Sequence, residues 1–208
     1  ETIQYVRKIP GLFSENTQLI CKELGDGNLN LVFHITEQGP SGKSIIVKQA
    51  LPYARVVGES WPLTLERARI ESEALMIQNS ICPGLVPKVY HYDKQLLLTV
   101  MEDLSTHTIM RKGLITRNRY PYFAKHIGTF LARTLFLTSD LALDPQDKKQ
   151  KVVQFINPEM CKITEDLVFT DPYYDAKTNQ FNPLIKKVIE EIWGHGDLKL
   201  EITKLKEK

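Results

Sequence analysis

The stretch LICKELGDGNLNLVFHITEQGPSGKSIIVKQA, from Leu19 to Ala50, decides the fold. Three runs inside it, LICKEL, NLVFHITE and KSIIVKQA, are rich in branched or aromatic residues and are parted by glycine-containing turns, which reads as an antiparallel meander of three strands. Outward from it, LPYARVVGESWP is a link bearing proline and glycine. LTLERARIESEALMIQ follows, with Leu65, Ala68, Ile70, Ala74, Leu75 and Ile77 at helical spacing. Thr64 is placed to cap that helix, although Arg67 stands where a capping box would have Glu. LVPKVYHYD and QLLLTVMED then read as two more strands joined by a tight turn near Asp93.

From about Ser105 onward the pattern turns helical. YPYFAKHIGTFLARTLFLTS puts Phe123, Ile127, Phe130, Leu131, Thr134 and Leu135 on one face, which predicts that this face is buried. NPEMCKITEDLVF and NPLIKKVIEEIW are shorter helices, each opened by an Asn-Pro that suits an N-cap followed by the first helical position. Five strands with one helix inserted after the third is the small lobe of a protein-kinase-like fold. The expectation is therefore an α+β chain: an antiparallel five-stranded, ATP-binding N-lobe with one helix over 1–101, a hinge at 102–105, and the start of a helical, truncated C-lobe over 106–208. No internal repeat or low-complexity segment interrupts it.

Composition narrows the partners. With 208 residues, 42% of them hydrophobic, the chain can build one ordinary domain or two small lobes. Its 27 basic residues are nearly cancelled by 25 acidic ones, and no basic stripe is interleaved with aromatics, which argues against nucleic acid. The longest apolar run, QLLLTVM from Gln95 to Met101, is too short for a bilayer, and the N-terminus lacks a secretory profile, so a cytoplasmic protein with no membrane partner is expected. Cys21, Cys82 and Cys161 are odd in number and widely spread, which predicts reduced thiols. The chain opens on Glu1 and stops within the amphipathic LEITKLKEK, which reads as a fragment.

The element order gives three short motifs a place. GDGNLN, Gly25 to Asn30, offers Gly25 and Gly27 where backbone amides must approach a triphosphate; its plain alternative is a hairpin turn. Lys48, on the third strand, stands where a kinase lysine reaches the α- and β-phosphates and is held by a carboxylate of the next helix. Glu71 is the first choice for that carboxylate, Glu73 the second and Glu66 the third; the plain alternative is a surface lysine near a solvated helical face. TVMEDL, Thr99 to Leu104, runs an apolar strand into a hinge. There the Glu102 carbonyl and Leu104 amide would meet an adenine edge with Met101 behind the base; its alternative is a simple strand end. GPSGKS, Gly39 to Ser44, imitates a Walker A loop, but Glu37 occupies the position of the first glycine, and the segment reads as an exposed hairpin turn.

ELGDGNLNLVFHI, IIVKQALPYARVVGESWPLTLERARIESEAL and TVMEDLS closely resemble the 5-methylthioribose kinase family of methionine salvage, within the aminoglycoside-phosphotransferase and protein-kinase-like superfamily. The likeness continues through RKGLI and NPEMCKITEDLVFTDPYYD and covers nearly the whole chain, with VVGESWPLTLERARIES its most distinctive part. The resemblance implies a kinase moving the γ-phosphoryl group of ATP, with magnesium, to the anomeric hydroxyl of 5-methylthioribose. It also implies that Asn30, Lys48, Glu102, Asp103 and Leu104 contact ATP, and that the protein is a homodimer. The family enzyme is about twice as long, with its catalytic loop, metal-binding acidic motif and sugar site in the other half. The chain is thus expected to be inactive alone. The alternative is an inert nucleotide-binding or pseudokinase-like module.

HGDL, His195 to Leu198, imitates the catalytic loop of this superfamily. A helix precedes it, Lys199 stands where the second histidine should be, and Glu201 and Ile202 occupy the region of the metal ligand. Asp197 therefore reads as a decoy, a turn between helices with its carboxylate capping the last one, and a minimal kinase using Asp197 ranks last.

Overall fold

The computed structural model describes residues 1–25, 29–39, 42–54 and 58–207. The three strands of the opening stretch form where the sequence puts them: β1 (Leu19–Glu23), β2 (Asn30–Glu37) and β3 (Ser44–Ala50). β6 (Val89–Asp93) and β7 (Leu98–Glu102) complete a five-stranded, wholly antiparallel sheet in the order β1-β2-β3-β7-β6. Within the link between β3 and the helix, Tyr53–Ala54 (β4) and Gly58–Pro62 (β5) pair as a short ribbon that the sequence does not announce. Its Pro62 sits at the end of a strand, where a missing N–H is tolerated.

The pleat gives the sheet two unlike faces. Ile35, Ile45, Val47, Leu98 and Val100 point to one side and form the core with Val6 and Leu12. The cover comes from α1 (Thr2–Val6) and the turns after it, a segment whose five-residue helix is too short to signal itself by periodicity. Tyr5 ties this cover to the far edge, donating to Asp93 Oδ2 at 2.7 Å, while Asp93 Oδ1 accepts from the amides of Gln95 and Leu96 and closes the β6–β7 turn. The Leu96 amide and the Tyr5 hydroxyl hold the Asp93 carboxyl below its ordinary range.

Strand partners directly opposite one another share a face, so Asn30, Val32, Lys48, Thr99, Ile46 and Met101 all point to the other side. Helix α2 (Glu66–Ile81) lies there. Its buried residues are Ala68 and Ser72, not the longer apolar series expected from spacing. Ser72 is fully buried because its hydroxyl bonds Thr99 Oγ1 at 2.6 Å. The cap also differs from expectation. Leu65 is the N-cap and gives no side-chain bond, whereas the Thr64 hydroxyl accepts from the Glu66 amide at 3.3 Å from one residue further out.

After β7 come α3 (Met110–Ile115), α4 (Phe123–Leu137) and α5 (Pro145–Phe155). The expected burial of the α4 face is corrected. Thr134 is buried, but Phe123, Ile127, Leu131 and Leu135 remain 41–65% exposed. Residues of α2 near its C-terminal end, Ala74, Ile77 and Ile81, meet Thr134 and Leu135 around one groove, so the contact with α2 falls at the C-terminal end of the stripe.

Contacts divide the chain into two compact units, 1–156 and 157–208. The second contains α6 (Pro158–Glu165), a π-helical turn at Asp166–Thr170, α7 (Lys186–Gly194) and α8 (Gly196–Lys206). Asn157 caps α6 by accepting from the Met160 amide at 3.2 Å, as its Asn-Pro pair predicts, whereas Asn182 accepts from the Leu184 amide at 3.0 Å and caps a 3-10 turn, Pro183–Ile185, behind which α7 begins at Lys186. Cys21, Cys82 and Cys161 are free thiols.

Candidate nucleotide-binding site

β3 presents Lys48 on the face opposite the core, and α2 brings one carboxylate to it. Lys48 Nζ donates to both oxygens of Glu71, at 2.6 and 2.7 Å. The other two candidates are engaged elsewhere: Glu73 accepts from Arg69 and Gln154, and Glu66 accepts from Arg69. The Lys48 and Glu71 side chains are 24% and 43% exposed, so the pair opens to solvent, where an ion pair adds only ~0–1 kcal/mol of stability. An arrangement this regular at such small energetic return is better suited to presenting an ammonium than to holding the fold.

Arg67 lies one helical turn before Glu71, and the sequence marks it only as the residue standing where a capping box would have Glu. Its Nη1 donates to the Thr64 carbonyl at 2.9 Å, and its Nη2 to the Leu29 carbonyl at 2.8 Å and to Asn30 Oδ1 at 3.3 Å. Burial lowers the pKa of this guanidinium and the charge of Glu71 opposes that. The spacing of Arg67 and Glu71, four apart on one helix, was the available signal. The end of the glycine loop is thus joined to the start of α2. Gly25 stands in the turn after β1 with open space where a Cβ would lie, and Gly27 falls outside the described residues.

The pleat adds two residues that motif reading passed over. Val32 is directly opposite Lys48, and Ile46 lies two positions before it, so both share its face with the buried Met101. Together they form an apolar floor beside the ammonium. Parity counted from Lys48 would have found them.

Past Met101 the chain is fastened at each step. Glu102 exchanges contacts with Lys88, its amide donating to the Lys88 carbonyl at 2.8 Å and its Oε2 accepting from the Lys88 amide at 3.0 Å. Asp103 turns its carboxylate back to the sheet, accepting from His34 at 2.9 Å, Ser44 Oγ at 2.7 Å, and the Ser105 hydroxyl and amide at 2.7 and 2.8 Å. Burial pushes this carboxyl up, but the hydrogen bonds from Ser44, Ser105 and His34 together outweigh it and lower the pKa to about 2. Leu104 is exposed, and its carbonyl accepts from the His107 amide at 2.8 Å.

The two imitations fall elsewhere. Lys43, from the Walker-like segment, donates to the Leu12 carbonyl and lies 5.3 Å from the Phe13 ring centroid, on the core-covering segment. Asp197 does not cap the last helix. The cap is His195, whose Nδ1 accepts from the Leu198 amide at 3.1 Å, because its extended backbone stands just outside α8 while Asp197 is already within the first turn. Among the described residues no group of three His, Cys, Asp or Glu side chains could hold a metal ion.

A lysine on the third strand of a five-stranded antiparallel sheet, paired with a carboxylate of the following helix and succeeded by a fastened linker and helices, defines the small lobe of a protein-kinase-like fold. No protein-family model matches the chain. It is 57% identical over 198 residues to the methylthioribose kinase of a Geobacillus species, covering 95% of this chain and 49% of that one. It is also 56% identical over 198 residues to that of Geobacillus kaustophilus, covering 95% and 50%. The methylthioribose kinase of Bacillus cereus is 51% identical over 206 residues, covering 99% and 51%. The chain belongs to the methylthioribose kinase family and spans about half the length of the curated relatives it matches.

Proposed function

We propose that this chain is the nucleotide-binding part of a kinase that transfers the γ-phosphoryl group of ATP to the anomeric hydroxyl of 5-methylthioribose, giving the 1-phosphate in methionine salvage. The observation that carries the reading is the bidentate, solvent-accessible Lys48–Glu71 pair on the side of the sheet that meets α2. In that position the ammonium is held ready for phosphate oxygens by a carboxylate that the nucleotide need not displace. Gly25, Gly27 and Asn30 would border the phosphates, and Met101, Glu102, Asp103 and Leu104 the adenine, with Val32 and Ile46 under the ring. Asp103 would serve through its backbone, since its side chain is committed to His34, Ser44 and Ser105.

Magnesium would accompany the nucleotide. Among the described residues no group of three His, Cys, Asp or Glu side chains could hold it, so its protein ligands would come from elsewhere in the enzyme. The N-lobe would comprise 1–101, the hinge 102–105 and the helical lobe the remainder, within a cytoplasmic homodimer. No described helix is long and apolar enough to cross a membrane. The 208 residues alone would not phosphorylate the sugar: the chain spans about half the length of its relatives, and the catalytic loop that the family resemblance implies would lie in the other half.

Calorimetric titration of the chain with ATP and magnesium tests the binding claim. Saturable binding that Lys48→Ala weakens at least about tenfold is expected. Equal affinity in the variant overturns it. Sugar-dependent ADP release by the chain would overturn the claim of inactivity.

A further inference from the structure

We propose that Arg69 is a positioning residue for the Lys48–Glu71 pair, fixing the rotation of α2 by joining that helix to the end of α5. Arg69 is two residues from Glu71, so at 3.6 residues per turn the two leave α2 on nearly opposite sides. The Glu71 side faces Lys48. On the other side Glu66, Arg69 and Glu73 form a stripe, with Arg69 Nε 2.6 Å from Glu66 Oε2 and Nη1 2.9 Å from Glu73 Oε2. The third arm of the same fork, Nη2, donates to the Gln154 carbonyl at 3.0 Å.

Gln154 lies in the last turn of α5, where a carbonyl has no partner within its own helix. The guanidinium supplies one and also suits the negative end of the helix dipole. The Gln154 amide returns the contact, donating to Glu73 Oε2 at 2.8 Å, and Lys151 Nζ donates to Gln154 Oε1 at 3.0 Å. Arg69 and Glu73 side chains are 23% and 21% exposed, more sheltered than Glu71 at 43%, so on the side away from Lys48 the linkage adds to the hold that Ser72–Thr99 and Arg67 give α2 on the sheet side. A helix held on opposite sides cannot turn about its axis without breaking one grip. α5 follows the 102–105 linker and α2 precedes it, so the linkage passes any displacement between them to Glu71. Lysine could not replace Arg69, because a single ammonium cannot span three acceptors in a planar fork.

The functional meaning of this coupling rests on the nucleotide reading of Lys48, but its physical test does not. Each lysine of the chain is acetylated with limiting acetic anhydride, and rates are read peptide by peptide by mass spectrometry. A lysine held between two carboxylate oxygens reacts more slowly than one released, so Glu71→Gln sets the released limit. Arg69→Met is expected to raise the Lys48 rate about threefold or more toward that limit, and to add nothing when combined with Glu71→Gln. Arg69→Lys should fail to restore protection, and Lys162 and Lys186 should react as in wild type. An unchanged Lys48 rate in Arg69→Met, or the same increment on top of Glu71→Gln, overturns the proposal. If Arg69→Met does not fold, Glu73→Ala decides: a smaller rise confined to Lys48 supports the linkage, and no rise overturns it. A chain in which the coupling holds but which binds no ATP would sink the nucleotide reading and leave the role of Arg69 intact.

Discussion

Ser44 and Asp103, 59 positions apart, meet through a 2.7 Å hydrogen bond in which the serine hydroxyl donates to Asp103 Oδ2. Ser44 opens β3 and Asp103 follows β7, so one carboxylate, joined also by His34 from β2, fastens the segment leaving the sheet to two of its strands. The backbone that would face an adenine is thereby fastened to the sheet by side chains of this chain.

Asp103 makes stability depend on acid. Its carboxyl is 6% exposed and lowered to about 2 from an ordinary 3.8, so it contributes stability above about pH 4 that is lost as pH falls through 2. The shift corresponds to about 2 kcal/mol. Urea unfolding should show Asp103→Asn less stable than wild type at pH 7, with the gap narrowing toward pH 2.5. A gap that does not change with pH would mean that the hydrogen bonds, not the charge, carry the effect.

In the full-length enzyme, Lys48→Ala should lower turnover by roughly two orders of magnitude or more, because the ammonium would be worth most where charge develops on the phosphates. Glu71→Ala should cost less, since it acts through Lys48, and Glu73→Ala less again, through the Arg69 linkage. Steady-state kinetics with varied ATP give the ranking. Glu73→Ala as the most damaging of the three would contradict the geometry.

Ser72 and Thr99 form a buried hydroxyl pair, and their 2.6 Å bond gives a test of α2 docking. Ser72→Ala or Thr99→Val alone strands one buried hydroxyl or leaves a gap and should cost about 1–3 kcal/mol. The double variant removes both polar groups and should recover part of that loss. Thermal denaturation of the four proteins closes the cycle, and strictly additive losses would show that the two side chains do not act on each other.

Why the sheet was legible and parts of the site were not comes down to periodicity. β1, β2, β3, β6 and β7 each announce themselves by branched residues between turn signals, and Lys48 and Glu71 follow from counting along two regular elements. α1 is too short to show a period, and α5 carries DKKQK across nearly half of its length, so its role emerges only from the Asp144 cap, which accepts from the Gln146 amide, and from Gln154 at its end. Arg67 and Arg69 look like ordinary solvated helix charges in sequence. Their partners, Asn30 and Gln154, are 37 and 85 positions away, and no local pattern encodes contacts of that range.

The HGDL segment separates two readings of Asp197 by experiment. His195 caps α8, so His195→Ala should remove an acceptor from the Leu198 amide and cost about 1 kcal/mol of stability. Asp197 sits exposed within the first turn of α8, where its charge suits the helix dipole and contributes at most about 0.3–1 kcal/mol. Asp197→Asn should therefore lower the melting temperature slightly, and in the full-length enzyme leave turnover within a few-fold of wild type. A catalytic base behaves otherwise: the same substitution would remove the proton acceptor for the sugar hydroxyl and lower turnover roughly 100-fold or more. The two outcomes are far apart on one assay. A collapse in turnover with unchanged thermal stability would make Asp197 part of the active site and require the break between α7 and α8 to be a catalytic loop.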